Sequence, residues 1–274
     1  MNGYKWLKNQ LVSLWNLGAN IRVIGRSVLG RKIYAIEIGE GPVVLMQYGI
    51  HAREYVACSL AVLHARLLLK QPSNLKFVLI PMANPDGTEL ALFGDAKFGR
   101  KNNLCLWKAN ARGVDLNNNF DAGFFRNNLV LTPSSHGYKG PHPESEPETK
   151  ALVGACERYH PFLTISFHTK GEEVYFDFFQ SHRNGLRDKK IAKLFAQDFG
   201  YKIKSTQKTS SGGFKDWCVS SLEIPSLTIE LGPDELTHPI GCSFASNLLM
   251  KTKNIKALCE KAYLIVNRFN KGAT

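Results

Sequence analysis

Two apolar runs separated by an amphipathic segment constrain the fold of this chain most strongly. Residues 43–48 and 77–82 are rich in aliphatic side chains and are too short for buried helices, so both predict buried strands. Residues 55–70 carry apolar side chains at helical spacing, and Pro72 ends that pattern. This β-α-β alternation is typical of a parallel sheet with helices on both faces.

The other segments continue this alternation of helices and strands. Periodicity and turn signals predict helices at residues 4–16, 146–159, 186–199 and 214–221, one or two helices over 245–269, strands at 162–167 and 226–230, and hairpins over 21–39 and 173–180. The tetrapeptide Asn84-Pro-Asp-Gly87 predicts a turn. Since no linker divides the chain, we expect one α/β domain over residues 1–274, with a peripheral helix in residues 1–20.

Composition limits the classes of partner. With 44% hydrophobic residues, a chain of 274 residues can bury a sizeable core. The net charge of +12 fits an anionic substrate, nucleic acid, an anionic surface or plain solubility. Because the lysines are scattered, with no dense basic run, nucleic acid is not predicted as a partner. No stretch approaches the ~18 apolar residues of a membrane span, so no membrane partner is predicted. The sequence gives no indication of the oligomeric state.

Two features indicate a reducing compartment. The first fifteen residues lack the unbroken apolar core and the small-residue cleavage site of a secretory signal. The six cysteines are dispersed and show no C-x-x-C spacing. We therefore expect a cytoplasmic protein without structural disulfides.

Ionisable side chains stand at the carboxyl ends of the predicted strands. His51 with Glu54, His168, and Glu230 each follow or end a different strand, and ligands of open α/β sheets gather at such ends. An isolated H-x-x-E match is more often a surface pair, and an isolated strand-end glutamate more often reaches solvent. Their coincidence at several strand ends, including the one that carries Asn84 and Asp86, favours a shared site.

The residue types at this site suit a catalytic zinc. His51, Glu54 and His168 would supply three ligands and leave a fourth position open for water. Glu230 would act as the general base for hydrolysis. Asp115 either orients a ligand imidazole through its second nitrogen or is a turn residue.

These residues resemble, in order, the motifs of the funnelin-type zinc metallocarboxypeptidases. The resemblance runs from about residue 20 to the C-terminus and implies one zinc ion per chain and a mixed, largely parallel, eight-stranded twisted sheet flanked by helices. The implied substrate loop is residues 113–119, and the implied specificity loop is residues 211–217. The matching motifs are His51-x-x-Glu54, Asn84-Pro-Asp-Gly87, Gly113-Val-Asp-Leu-Asn117, Ser166-Phe-His168, Ser211-Gly-Gly213 with Asp216-Trp217, and Thr228-Ile-Glu230.

The chain departs from the family pattern where substrate is bound. Members of the family typically carry an arginine that grips the substrate's terminal carboxylate, and Asn118 stands there instead. A neutral amide cannot form the bidentate, charge-assisted pair of a guanidinium. The resemblance assigns polarisation of the scissile carbonyl to Lys108, with Arg112 nearby to share that role. It aligns Lys208 and Lys215 with the closing tyrosine and the floor of the specificity pocket.

Residues 107–117 look most like the bacterial branch that cuts γ-D-glutamyl-meso-diaminopimelate bonds in cell-wall peptides. The resemblance therefore implies a zinc peptidase whose partner is an acidic muropeptide. Substrate binding is expected to involve Asn117, Asn118, Lys208, Lys215 and Arg53.

Three other functions are weighed against this one. They are a C-terminal metallocarboxypeptidase of ordinary peptides, a deacylase related to aspartoacylase, and a peptide-binding relative without activity. The specificity loop disfavours the deacylase, because relatives of that kind usually lack it. The presence of all three predicted ligands and of Glu230 disfavours the inactive relative.

Overall fold

The computed structural model describes residues 3–94, 104–126, 129–205 and 210–271. In these residues, the strands are β1 (Asn20–Arg26), β2 (Lys32–Ile38), β3 (Val43–Tyr48), β4 (Lys76–Ile80), β5 (Leu163–Thr169), β6 (Glu173–Tyr175), β7 (Lys202–Lys204) and β8 (Ser226–Leu231). These eight strands form one sheet, in the order β1-β2-β4-β3-β5-β8-β6-β7.

The sheet is mixed, as the resemblance implied. Strands β4, β3, β5 and β8 run parallel to one another in its centre, and β6 and β7 are also parallel. The β1–β2, β2–β4 and β6–β8 pairs are antiparallel. The four central strands therefore present their carboxyl ends at one edge.

Helices cover both faces of the sheet. Alternate residues of β3 enter different apolar clusters, because successive side chains of a strand point to opposite faces. The helices are α1 (Tyr4–Asn16), α2 (Val56–Leu69), α3 (Pro85–Phe93), α4 (Pro147–Tyr159), α5 (His182–Phe199), α6 (Phe214–Ser221), α7 (Ala245–Thr252) and α8 (Ile255–Lys271). Met46 of β3 packs with α1, α2, α5, α7 and α8 on one face, and Leu45 packs with α4 and α6 on the other.

Two local predictions are wrong. The predicted turn at residues 84–87 is the start of α3: the Asn84 side chain accepts from the Gly87 N–H at 3.0 Å, and Pro85 occupies the first helical turn. The predicted hairpin over residues 173–180 is absent. Only Glu173–Tyr175 forms a strand, and its partners are β8 and β7.

A helix that crosses a bilayer needs about 20 consecutive, predominantly apolar residues. None of the described helices is long and apolar enough to cross a membrane.

A buried carboxylate links β2 to the neighbouring strands and to α4. Glu37 is 6% exposed. It accepts hydrogen bonds from Arg22 Nε at 2.7 Å, Lys76 Nζ at 2.9 Å and Tyr159 Oη at 2.7 Å. Burial alone would raise its pKa, but the bonds from Lys76, Arg22 and Tyr159 outweigh burial and lower the pKa of Glu37 to about 2. A depressed carboxyl pKa means that the ionised form stabilises the fold.

We expect Glu37→Gln to lower the free energy of unfolding by about 1–3 kcal/mol at pH 7, because the neutral amide loses the charge-assisted bonds. The contribution is complete above the ordinary pKa of 4.5 and disappears as the pH falls towards 2. Urea unfolding of both proteins at several pH values measures the difference. A gap that stays constant from pH 7 to pH 3 would contradict this account of Glu37.

Candidate metal centre and active site

The turn after β3 brings His51 and Glu54 together. Gly49 ends the strand with a φ of 63°, and a Cβ at this position would lie 2.4 Å from the sulfur of Cys58. Both constraints favour glycine. A short 3₁₀ helix, Ala52–Glu54, then turns the carboxylate back, so that Glu54 Oε1 lies 2.8 Å from His51 Nδ1.

Strand β5 supplies the third member of the group. His168 Nδ1 lies 3.0 Å from His51 Nδ1 and 3.1 Å from Glu54 Oε2. The backbone N–H of Thr169 donates to the same carboxylate oxygen at 3.3 Å. All three side chains are buried, and the structure thus brings His51, Glu54 and His168 into one cluster.

This cluster fits a tetrahedral zinc ion. The two Nδ1 atoms face each other and the same carboxylate, and two N–H groups cannot both point into that space. A cation between the nitrogens and the carboxylate would use all the lone pairs. Zinc bonds of roughly 2.0–2.1 Å place ligand atoms about 3.3 Å apart, close to the separations of 2.8–3.1 Å between these atoms.

The charge of Glu54 also suits a metal ligand. Its burial would by itself raise the pKa of the carboxyl group. Contacts with His51 and His168 outweigh burial and hold the pKa of Glu54 well below its usual range. The group is therefore an ionised carboxylate, the form that binds a metal ion.

Asp115 lies behind His51. Its Oδ1 atom is buried, makes no hydrogen bond in the described structure and is 3.5 Å from His51 Nε2. Its Oδ2 atom accepts from the Gly137 N–H at 3.1 Å and lies 3.1 Å from Lys108 Nζ. Burial opposes ionisation, yet Lys108 and His51 hold the pKa of Asp115 well below its usual range. An ionised carboxylate here would keep the second nitrogen of His51 protonated and leave Nδ1 free for a metal.

Glu230 lies beside the cluster without belonging to it. In the parallel register of β5 and β8, Glu230 is the partner of His168, and in the antiparallel register of β6 and β8 it is the partner of Glu173. Desolvation, with Glu54 and Glu173 nearby, outweighs the attraction of His168 and Lys108 and raises the pKa of Glu230 to about 7. A carboxyl group that titrates near neutrality can both accept and release a proton.

The structure separates the two basic residues predicted to polarise the carbonyl. Lys108 lies at the site, paired with Asp115, and its backbone carbonyl accepts from the Ala52 N–H at 3.1 Å. The guanidinium of Arg112 is largely exposed and faces Glu146 at 3.6 Å instead. Among the described contacts, none joins Arg112 to the metal cluster.

The substrate loop and the specificity loop are hydrogen-bonded to each other. Asn117 Oδ1 accepts from the Phe214 N–H at 3.0 Å, and the Phe120 N–H donates to the Gly212 carbonyl at 2.9 Å. A Cβ on Gly212 would lie 2.2 Å from the carbonyl oxygen of Asn118, so only glycine permits this approach. The side chain of Asn118 is half-buried at this junction.

The remaining predicted substrate residues differ in their surroundings. Lys215 is buried, and its ammonium donates to the Asp177 carbonyl at 2.6 Å and to Asp216 Oδ1 at 2.5 Å, so its charge is already compensated. Arg53 is half-buried, and its Nε atom has no hydrogen-bond partner in the described structure. Lys208 lies outside the described residues.

Two residues near the cluster escaped the sequence analysis. Glu173 was missed because its approach to Glu230 depends on the pairing of β6 with β8, which no local pattern predicts. His238 lies within electrostatic range of Glu54 and Arg53, and desolvation lowers the pKa of His238. It stands in an irregular segment after β8, where periodicity carries no signal.

Comparisons with known proteins agree with this geometry. A family model described as "Zinc carboxypeptidase" matches residues 18–264. The gamma-D-glutamyl-L-diamino acid endopeptidase 1 of Lysinibacillus sphaericus is 29% identical over 247 residues, covering 79% of this chain and 61% of the relative. The chain spans between 61% and 66% of the length of the first curated relatives that it matches.

Solved structures share the fold. A carboxypeptidase A from Helicoverpa armigera superposes with a TM-score of 0.78 at 21% identity, over 95% of this chain and 73% of that one. The murein-tripeptide amidase MpaA from Escherichia coli O157 is 25% identical with a TM-score of 0.56, over 91% of this chain and 94% of that one. The first of these matches confirms the predicted eight-stranded α/β fold.

We expect purified protein to contain one zinc ion per chain and His168→Ala to lose most of it, because the open tetrahedral site needs all three ligands. Elemental analysis after dialysis measures the zinc content. His182→Ala is the matched control, since His182 is an exposed histidine at the start of α5. Full zinc content in His168→Ala would remove His168 from the metal site.

Proposed function

We propose that this chain, which belongs to the zinc carboxypeptidase family, is a zinc-dependent peptidase that hydrolyses an amide bond in bacterial cell-wall peptides. The expected bond joins γ-D-glutamate to meso-diaminopimelate. The catalytic part of this proposal rests on the cluster of His51, Glu54 and His168, with Glu230 as the register partner of His168 on the neighbouring strand. Two relatives, an endopeptidase and an amidase whose names specify substrates of this kind, support the choice of substrate.

The proposed reaction uses the residues of this cluster in separate roles. Zinc, when held by His51, Glu54 and His168, supplies the electrophile that activates water and polarises the scissile carbonyl. Glu230 takes the proton of the attacking water and passes it to the leaving amine. Burial beside Glu54 and Glu173 raises the pKa of Glu230 and makes it a stronger proton acceptor than an exposed carboxylate.

One acidic neighbour, Asp115, and one basic neighbour, Lys108, support these steps. Asp115 holds His51 in the orientation and tautomer in which Nδ1 faces the metal position. Lys108, half-buried and close to Asp115 and Glu54, places positive charge where the carbonyl oxygen becomes negative.

The substrate loop distinguishes this proposal from an ordinary carboxypeptidase. Asn118 offers an amide where a terminal carboxylate would otherwise meet an arginine. A substrate that carries further carboxylates can make its charged contacts elsewhere, and the diaminopimelate residue has one more carboxylate than lysine. The chain's net charge of +12 is compatible with such an anionic peptide.

The first prediction for this reaction concerns Glu230→Gln. Because Glu230 is not a proposed ligand, the variant should keep its zinc while kcat falls by ~10² or more, the usual scale for loss of a general base. Steady-state hydrolysis of a murein tripeptide, with elemental analysis of the same sample, separates catalysis from metal binding. Turnover near the wild-type rate would show that Glu230 is structural.

The second prediction concerns substrate choice. We expect L-Ala-γ-D-Glu-meso-diaminopimelate to be cleaved ~10-fold or more faster than the same tripeptide ending in L-lysine, because lysine lacks the distal carboxylate. The ratio of the two kcat/KM values measures the preference. Cleavage of ordinary C-terminal residues without cleavage of either tripeptide would replace the cell-wall proposal with a general carboxypeptidase.

The role of Lys215 in that preference is a separate proposal. Its ammonium already pairs with Asp216, so a distal carboxylate would have to share or displace that partner. Lys215→Met alone leaves Asp216 buried without its partner, and Lys215→Met with Asp216→Asn removes both charges. A preference for diaminopimelate that survives in the folded double variant would exclude Lys215 as its source.

A further inference from the structure

We propose that Arg126 binds a carboxylate of the peptide substrate and takes the place of the arginine that the substrate loop lacks at Asn118. This inference rests on the proposed peptidase function. It concerns a residue that none of the sequence motifs includes. Four observations on its backbone, side chain, charge and neighbours carry it.

The backbone of Arg126 is fixed from the side of the specificity loop. Its carbonyl accepts a hydrogen bond from Ser211 Oγ at 3.0 Å and another from the ammonium of Lys139. Lys139 is buried and also donates to the Phe124 carbonyl at 2.8 Å and to Ser211 Oγ at 2.7 Å. All three N–H groups of Lys139 are thus used to join the two segments. Arg126 is exposed, but it is anchored through its backbone.

The side chain of Arg126 is held against two other residues. Its Cδ atom lies 3.1 Å from the position that a Cβ would take on Gly123. Its guanidinium lies over the ring of Phe179, 4.5 Å from the centroid. Stacking on an aromatic face restricts a guanidinium while leaving its N–H groups at the edge free to donate. The fork is therefore ordered before any ligand arrives.

The charge of Arg126 has no partner in the described part of the chain. No carboxylate of the described residues lies within ion-pair distance of its guanidinium, whereas Lys108 and Lys215 are paired with Asp115 and Asp216. An exposed arginine without a partner is ordinary by itself. An arginine that is anchored, stacked and unpaired is prepared for an anion, and a planar fork matches a carboxylate in two parallel hydrogen bonds.

The neighbours of Arg126 place it where substrate is proposed to bind. Ser211 donates a hydrogen bond to the carbonyl of Arg126. The next residue, Gly212, packs against the backbone of Asn118. Phe179, against whose ring the Arg126 guanidinium stacks, stands two residues after Asp177. The carbonyl of Asp177 accepts a hydrogen bond from the ammonium of Lys215. The specificity loop and the segment of Phe179 therefore meet at this one cation, and Gly212 joins that loop to Asn118, which stands eight residues before Arg126 in the chain.

The test measures binding in a form that does not turn over. In the Glu230→Gln background, calorimetry compares the zinc-loaded protein with L-Ala-γ-D-Glu-meso-diaminopimelate and with the same tripeptide carrying carboxamides on diaminopimelate. A blocked dipeptide and its carboxamide form a second pair of ligands. The comparison is repeated with Arg126→Met, Arg126→Lys and the matched control Arg158→Met, since Arg158 is an exposed arginine of α4.

With Arg126 present, the free carboxylate form should bind ~10-fold or more tightly than the carboxamide, as for a bidentate charge-assisted pair. Arg126→Met should reduce that ratio to within about 2-fold, Arg126→Lys should keep part of it, and Arg158→Met should keep all of it. A general loss of structure would weaken both ligands of a pair alike and leave the ratio unchanged. A ratio that survives in folded Arg126→Met therefore overturns the proposal.

The two pairs of ligands separate this inference from the proposed function. If only the blocked dipeptide binds, the cell-wall proposal is wrong, and the carboxylate preference for the dipeptide still decides the role of Arg126. If neither peptide binds, both proposals are overturned. If both peptides bind, and the Glu230→Gln protein binds the carboxylate and carboxamide forms of each with equal affinity, only the inference about Arg126 is wrong.

Discussion

The parallel pairing of β3, β5 and β8 is the constraint on which the site depends. Tyr48 is the register partner of Phe167, and His168 is the partner of Glu230. A slip of one residue would turn every side chain of a strand to the opposite face, and His168 would then leave the carboxylate of Glu54. The stacked rings of Tyr48 and Phe167, with centroids 4.7 Å apart, pack immediately before the two histidine-bearing ends and oppose such a slip.

The carboxylates at this site would be costly to bury alone, and those of Glu54 and Asp115 have compensating neighbours. Asp115 is almost fully buried, and its charge is balanced by Lys108 and by the polar contacts of Gly137 and His51. Removing one partner from such a group leaves a buried charge unpaired, which costs more than the net value of the pair. The geometry of the cluster is therefore tied to residues outside the strands, in the segment that carries Lys108 and Asp115.

Local patterns predicted the features that depend on neighbours in sequence. The helix at residues 4–16 was predicted with its observed bounds, and its leucines Leu7, Leu11 and Leu14 enter the main core. The start of α3 was misread because Asn, Pro, Asp and Gly favour turns and helix N-termini alike. The helix-forming residues that follow this tetrapeptide would have favoured a helix N-terminus over a turn.

Features that depend on distant segments could not be predicted in this way. The pairing of β6 with β8 joins residues more than fifty positions apart, and it alone places Glu173 beside Glu230. The same limit applies to Lys139, which reads in sequence as one more solvated lysine. In the structure it is 4% exposed, and its three acceptors come from two separate segments of the chain. Burial and acceptor geometry are properties of the assembled fold.

The distribution of charge near the site bears on how a substrate carboxylate can be held without an arginine at residue 118. Lys108 and Lys215 are already compensated by acidic neighbours, so a further carboxylate gains little from either. Arg53 adjoins the metal ligands, and its Nε atom is buried without a partner. At the junction of the substrate and specificity loops, Arg126 offers a guanidinium free of any described carboxylate. Because a cation gains most from an anion when no other anion compensates it, a substrate carboxylate would gain more from Arg53 or Arg126 than from Lys108 or Lys215.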